Sequence, residues 1–234
     1  MSKIIKYLCC LLMILFLVAC VGPEAKRDKF MSKGMANFEK GDYVAAKLDF
    51  KNSLQIDPKF GRGYLMLAKT EIHLKNYKAA YGNLNKSLRY EPDNIETHIE
   101  LGNIFLAAQE LEKADKEADL ILELDKDNLK GITLKAATLM LRGKGDEAAE
   151  LLEPIVSPEL KLPLAFEVLA MYYMVNSNGD KGREILEMGV AAVPDSAELH
   201  LQLSRFHARN KEIDRAASYL KKVIELESDT PHLH

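Results

Sequence analysis

Tryptophan is absent from the 234 residues, and glycine (13) and proline (8) are scarce. Together they make up roughly 9% of the chain against about 12% in average usage, too few turn residues for a β-sandwich or barrel. Cysteine is confined to Cys9, Cys10 and Cys20, so the body of the chain holds neither a disulfide framework nor a cysteine zinc site. No charge sign dominates: 32 Lys and Arg face 35 Asp and Glu, a net −3. With no basic run interleaved with aromatics, nothing favours a phosphate backbone, and nucleic acid is not an expected partner. What is present is 47% hydrophobic and 29% charged residues, weighted towards Ala, Leu, Lys and Glu. These are strong helix formers, and the expected fold class is all-α.

A long apolar run is also missing. After Lys3 and Lys6 the uncharged stretch Tyr7–Ala19 has 13 residues, about 20 Å as a helix against a hydrocarbon core of roughly 30 Å. A basic start and short apolar core read as a secretory signal. Leu17-Val18-Ala19-Cys20 resembles the lipobox of bacterial lipoproteins, which implies removal of residues 1–19 and lipidation of Cys20. The alternative is an uncleaved N-terminal anchor. Two or more acyl chains anchor stably where one is marginal, and residues 20–26 would form the lipidated tether. By the same resemblance Val21, rather than Asp, after the cysteine favours the outer membrane. Lys26, Arg27 and Lys29 read as exposed helix charge close to the bilayer.

Gly41-Asp42-Tyr43 aligns with Lys75-Asn76-Tyr77 and Asp57-Pro58 with Glu91-Pro92, a spacing of 34 residues. That spacing continues through six windows without insertion: 27–60, 61–94, 95–128, 129–162, 163–196 and 197–230, leaving a tail at 231–234. The twentieth position is Ala46, Ala80, Ala114, Ala148, Gly182 and Ala216; the eighth is Gly34, Ala68, Gly102, Ala136, Ala170 and Ser204. Small residues at two fixed places let paired helices approach closely, and Phe50, Leu84, Leu152, Leu186 and Leu220 recur as bulk at the twenty-fourth. Each window reads as helix, turn, helix, with turns near 40–42, 75–76, 109–110, 143–145, 177–179 and 211–212. The fourth window carries Pro154 and Pro158, which should cut its second helix short and leave 157–162 irregular before a helix opened by Pro163.

Residues 27–230 resemble the tetratricopeptide repeat (TPR) family. The resemblance implies a right-handed superhelical solenoid of six helix-turn-helix repeats, in which neighbours share one continuous core. Lys33 and Lys135 stand where the family prefers leucine, and Asn37 and Glu71 where it prefers an aromatic; these departures read as weak places. The concave face of such a solenoid is lined by first-helix residues, here including Met31, Met35, Phe38, Leu65, Lys69, Ile72, Ile99, Asn103, Leu106, Met140, Met171 and Met174. So apolar and methionine-rich a groove suits a hydrophobic or amphipathic protein segment. Met31 and Met35 replace the first pair of polar positions that chaperone-tail-binding members use to clamp a carboxylate.

Enzyme signatures are missing. Gly61-Arg62-Gly63 is followed by Met66 where a dinucleotide fingerprint needs glycine, and Gly143-Lys144-Gly145 lacks the Ser or Thr of a phosphate loop. His73, His98, His200 and His207 are scattered over first helices and read as packed or solvated rather than metal-ligating; no cofactor is expected. The final helix, expected over 213–227, has no polar cap beyond it. Its face of Ile213, Ala216, Leu220, Val223 and Leu226 offers a surface for a cap, partner or second copy.

The expected function is a non-enzymatic, lipid-anchored protein-binding scaffold on the periplasmic face of a bacterial envelope membrane. Phe38-Glu-Lys-Gly-Asp-Tyr43 and Leu54-Gln-Ile-Asp-Pro58 resemble the N-terminal repeats of larger TPR lipoproteins of exopolysaccharide and exosortase systems. The layout, a lipobox followed by six repeats, is similar to the pilotin lipoproteins that assist secretin assembly in type IV pilus biogenesis. An accessory that activates an envelope polysaccharide enzyme is a further alternative.

Overall fold

The computed structural model describes residues 22–228. The apolar N-terminal stretch, Cys20 and the tail 231–234 lie outside them. Among the described residues there are twelve α-helices and no strand, meeting the all-α expectation. They are α1 (Pro23–Glu39), α2 (Tyr43–Ile56), α3 (Gly61–His73), α4 (Tyr77–Tyr90), α5 (Ile95–Ala107), α6 (Leu111–Leu124), α7 (Leu129–Leu141), α8 (Gly145–Leu152), α9 (Pro163–Val175), α10 (Gly179–Ala192), α11 (Ala197–Arg209) and α12 (Ile213–Ser228). The chain divides into two compact units, one ending at Thr97 and the other beginning at His98. None of these helices is long and apolar enough to cross a membrane.

Each hairpin turn is built in the same way. A left-handed residue stands at Gly41, Lys75, Gln109, Gly143, Ser177 and Lys211, every 34 residues, with φ between 59° and 79°. The amide after it donates to a carbonyl five residues back: Asp42 to Asn37, Asn76 to Glu71, Glu110 to Phe105, Lys144 to Leu139, Asn178 to Tyr173 and Glu212 to His207. That bond closes a Schellman motif and satisfies a carbonyl at the end of the first helix. Only two of the six left-handed residues are glycine; the other four hold the conformation against an unfavourable Cβ.

The small residues at positions eight and twenty are buried in every hairpin. At Gly34 an added Cβ would stand 2.6 Å from Phe50 Cε1, and Phe50 is itself fully buried. The missing side chain is the space Phe50 fills. Gly182, glycine where the other five hairpins carry alanine, has Met174 Cγ at 2.7 Å and the Ala170 carbonyl oxygen at 2.8 Å from the same hypothetical atom.

In the first unit the core gathers Met31, Ala46, Phe50, Leu54, Met66 and Leu67. The second unit has a larger core running from Ala136 to Leu203, centred on Phe166, Leu152, Leu186 and Leu199. Its fourth hairpin is cut short as the prolines imply, but the break begins at 153 rather than 157, ahead of Pro154 itself. Helix α8 stops at Leu152, residues 153–162 are irregular, and Pro163 occupies the first position of α9. Leu160 from the irregular segment is buried, so the interruption still contributes to the core.

The polar departures from the repeat pattern are paired across neighbouring helices. Lys33 and Asn37 both reach Asp49, at 3.3 and 2.8 Å, and Asp49 is buried. Glu71, also buried, takes Lys47 Nζ at 2.9 Å and Asn76 Nδ2 at 2.9 Å. Lys135 pairs with Asp115 and Asp119, each at 2.7 Å, and Arg142 reaches Asp115 at 2.8 Å. Burial works against the charge of Asp115, but Lys135, Thr138 and Arg142 outweigh it and hold its pKa below the usual range. Each departing side chain is answered by one on another element, which sequence position alone does not reveal.

Two more differences lie at the ends of the described chain. Helix α1 opens at Pro23, so residues 23–26, expected as tether, form its first turn. Proline is pre-set for that position, where its missing N–H costs nothing. Arg27 is an internal contact rather than free surface charge: its guanidinium bonds Asp57 at 3.0 Å and lies 4.5 Å above the Phe60 ring. At the other end, the apolar stripe of α12 is only partly covered. Ala216 and Val223 are buried, whereas Ile213 and Leu220 are exposed.

Candidate partner-binding groove

Within the second unit the first helices of successive hairpins, α7, α9 and α11, pack in order. Their exposed flank encloses an open groove of about 330 Å³. Helix α9 supplies most of the floor through Leu164, Val168, Ala170, Met171, Met174 and Val175, with Leu106 and Leu141 contributed by α5 and α7. A smaller hollow of about 190 Å³ adjoins it through the shared Leu164 and is lined by Ile99, Asn103 and Lys130 among others. The composition follows from the helix period. Positions 164, 168, 171 and 175 recur every three or four residues and form one stripe on α9.

Three polar side chains interrupt this surface: Glu167, Gln202 and Arg209. Glu167 is partly buried, and its Oε2 accepts a bond from Gln202 Nε2 at 3.4 Å. Burial pushes its pKa above the usual glutamate range; Gln202 acts against that shift, Glu198 adds to it, and Arg205 offsets it in part. No lysine or arginine forms an ion pair with Glu167 among the described residues.

A raised carboxyl pKa has a definite consequence for stability. Below the unfolded-state pKa both forms are protonated and nothing is lost; as pH rises, the unfolded chain ionises first and the folded state loses ground until its own pKa is passed. Replacing Glu167 by glutamine is therefore expected to raise stability at pH 7 and to change it little at pH 3, below the unfolded-state pKa. Chemical denaturation at the two pH values measures the difference.

The structure distributes the residues singled out from the sequence. Leu106, Met171 and Met174 meet in the main groove and Ile99 and Asn103 in the adjoining hollow, although Ile99 is largely buried. Met140 is half-buried against the core that underlies the main groove. In the first unit Met31 is a core residue and Met35 and Phe38 pack against that core. Phe38 also stacks edge-on with Tyr43 and His73. Leu65 is buried, Ile72 half-buried, and Lys69 pairs with Glu96 at 2.5 Å. Packing also accounts for the other first-helix histidines: His98 meets Glu117 at 2.6 Å, His200 Nε2 donates to the Pro194 carbonyl at 2.9 Å, and His207 meets Glu212 at 3.0 Å. Among the described residues no cluster of three His, Cys, Asp or Glu side chains could hold a metal.

Residues 197–230 match the tetratricopeptide repeat. A TPR protein from Parabacteroides merdae superposes with a TM-score of 0.76 at 18% identity, over 88% of this chain and 80% of its own. The fold is that of the TPR proteins. PilF of Pseudomonas aeruginosa superposes with a TM-score of 0.66 and PilW, a type IV pilus biogenesis factor, with 0.67; each is 18% identical and aligned over 89% of this chain and 95% of its own. No curated protein sequence matches the chain.

Several groove residues were not singled out from the sequence: Leu141, Leu164, Glu167, Val175 and Arg209. All five lie on first helices, Leu164 at the second, Glu167 at the fifth and Leu141, Val175 and Arg209 at the thirteenth position of their windows, whereas the residues singled out stand at the fifth, ninth and twelfth. Gln202 lies one position after the fifth, at none of these.

Proposed function

We propose that this chain is a non-enzymatic, lipid-anchored scaffold of the bacterial envelope that holds a protein segment in the α7–α9–α11 groove. The observation that carries this reading is the groove itself: an apolar floor left open beside a well-packed core, with Met171 and Val175 exposed. Monomers rarely leave contiguous apolar surface without a use. Methionine suits the role because it adapts its shape at low cost. Anchoring through Cys20, with residues 1–19 removed and the six windows as the folded body, rests on the lipobox-like sequence; the intact mass of the mature N-terminus tests it.

Type IV pilus assembly is the favoured pathway, since PilF and PilW match over nearly the whole of both chains. The partner would then be a secretin or another envelope protein of that machinery. The exopolysaccharide reading rests on local repeat phrases. Glutamate at Met171 and Met174 is expected to abolish in-cell crosslinking to the partner while leaving the helical content intact. If both substitutions leave every crosslinked partner in place, the groove is not the site.

A further inference from the structure

Glu167 is a carboxylate in the wrong place for a passive apolar groove. Its neighbours one turn away on the same face of α9 are Leu164, Ala170 and Met171, and all three line the groove. Among the described residues its hydrogen-bond partner is Gln202, at the long distance of 3.4 Å, and it forms no ion pair. Arg209, the other groove charge, is exposed and can turn to solvent; Glu167 is partly buried and less free to do so. An occupant that covered Glu167 with apolar surface would have to strand its charge or protonate it, a cost that a basic side chain avoids.

We infer that the occupant of this groove is an amphipathic helical segment that places a lysine or arginine on Glu167, with apolar side chains on either side. The inference rests on the groove being the partner site. A basic side chain suits the place twice over, because its apolar stem can lie along Leu164 and Met171 while its head meets the carboxylate. The stripe from Leu164 to Val175 spans twelve residues, about 17 Å along the helix axis, and matches about three turns of a partner helix. Glu167 then selects among partners, and Met171 and Met174 supply adaptable contact.

Because the occupant is unidentified, the probe is a displayed library of 14-residue helix-forming peptides, selected on the full chain held in detergent micelles. Parallel selections use the Glu167→Gln, Glu167→Lys and Met171→Glu/Met174→Glu variants, each checked for helical content by circular dichroism. The expected result is peptides with one basic residue among apolar ones, enriched roughly tenfold over the same peptides carrying norleucine there. That preference should vanish with Glu167→Gln and invert towards Asp or Glu with Glu167→Lys. Selected peptides that need Met171 and Met174 but show no basic preference, or keep it with Glu167→Gln, would overturn the inference and leave the groove standing. Peptides that bind Met171→Glu/Met174→Glu as well as the parent would overturn both.

Discussion

Replacing Phe166 by alanine is expected to destabilise the second unit by about 3–5 kcal/mol, the range for deleting a fully buried aromatic ring. Phe166 is inaccessible to solvent and sits on α9 beneath the groove. An added Cβ on Gly189 of α10 would lie 2.9 Å from its Cγ, so helix and ring are already in tight contact. Relaxation cannot easily fill the space left behind, because the neighbouring helix is anchored by Ile185, Leu186 and Ala192 in the same core. Met171→Ala, five residues further along the same helix and exposed, should cost less than about 1 kcal/mol. Urea unfolding followed by circular dichroism measures both, and similar costs for the two would contradict the division of α9 into a core face and a groove face.

A second large effect is expected in the first unit. Lys47→Met removes the charge that faces Glu71, whose side chain is only 4% exposed. The carboxylate would keep Asn76 as a partner but no cation. Breaking such a pair from one side costs about 3–5 kcal/mol when both partners are fully buried. Lys47 is 28% exposed, so about 2–3 kcal/mol is the expected loss here. The double substitution Lys47→Met/Glu71→Leu should recover most of it, because no charge is then left behind and apolar packing replaces the pair. If the double variant is as unstable as the single one, Glu71 serves the turn through Asn76 more than it serves the ion pair.

How much could be read in advance follows from the range of the interactions. The turns were legible because each is closed by a bond five residues long, and the residues around Gly41, Lys75 and Ser177 are local instructions. The broken helix before Pro163 was legible for the same reason: proline acts on its own turn and the one before it. The groove was only half legible. Met171 and Met35 both stand at the ninth position of their windows, yet one lines the groove and the other packs against the core of its unit. Repeat position alone does not distinguish them.

The sequence by itself determined the helices, their turns and the recurrence of small residues every 34 positions, because these depend on backbone sterics and short-range periodicity. Only the tertiary structure decided which polar departures are paired and which first-helix side chains stay open. Lys33 meets Asp49 across 16 residues, Lys47 meets Glu71 across 24, and Gln202 reaches Glu167 across 35. Those partners are chosen by helix packing, where the cost of burying a charge can be judged only once its neighbours on other helices are in place.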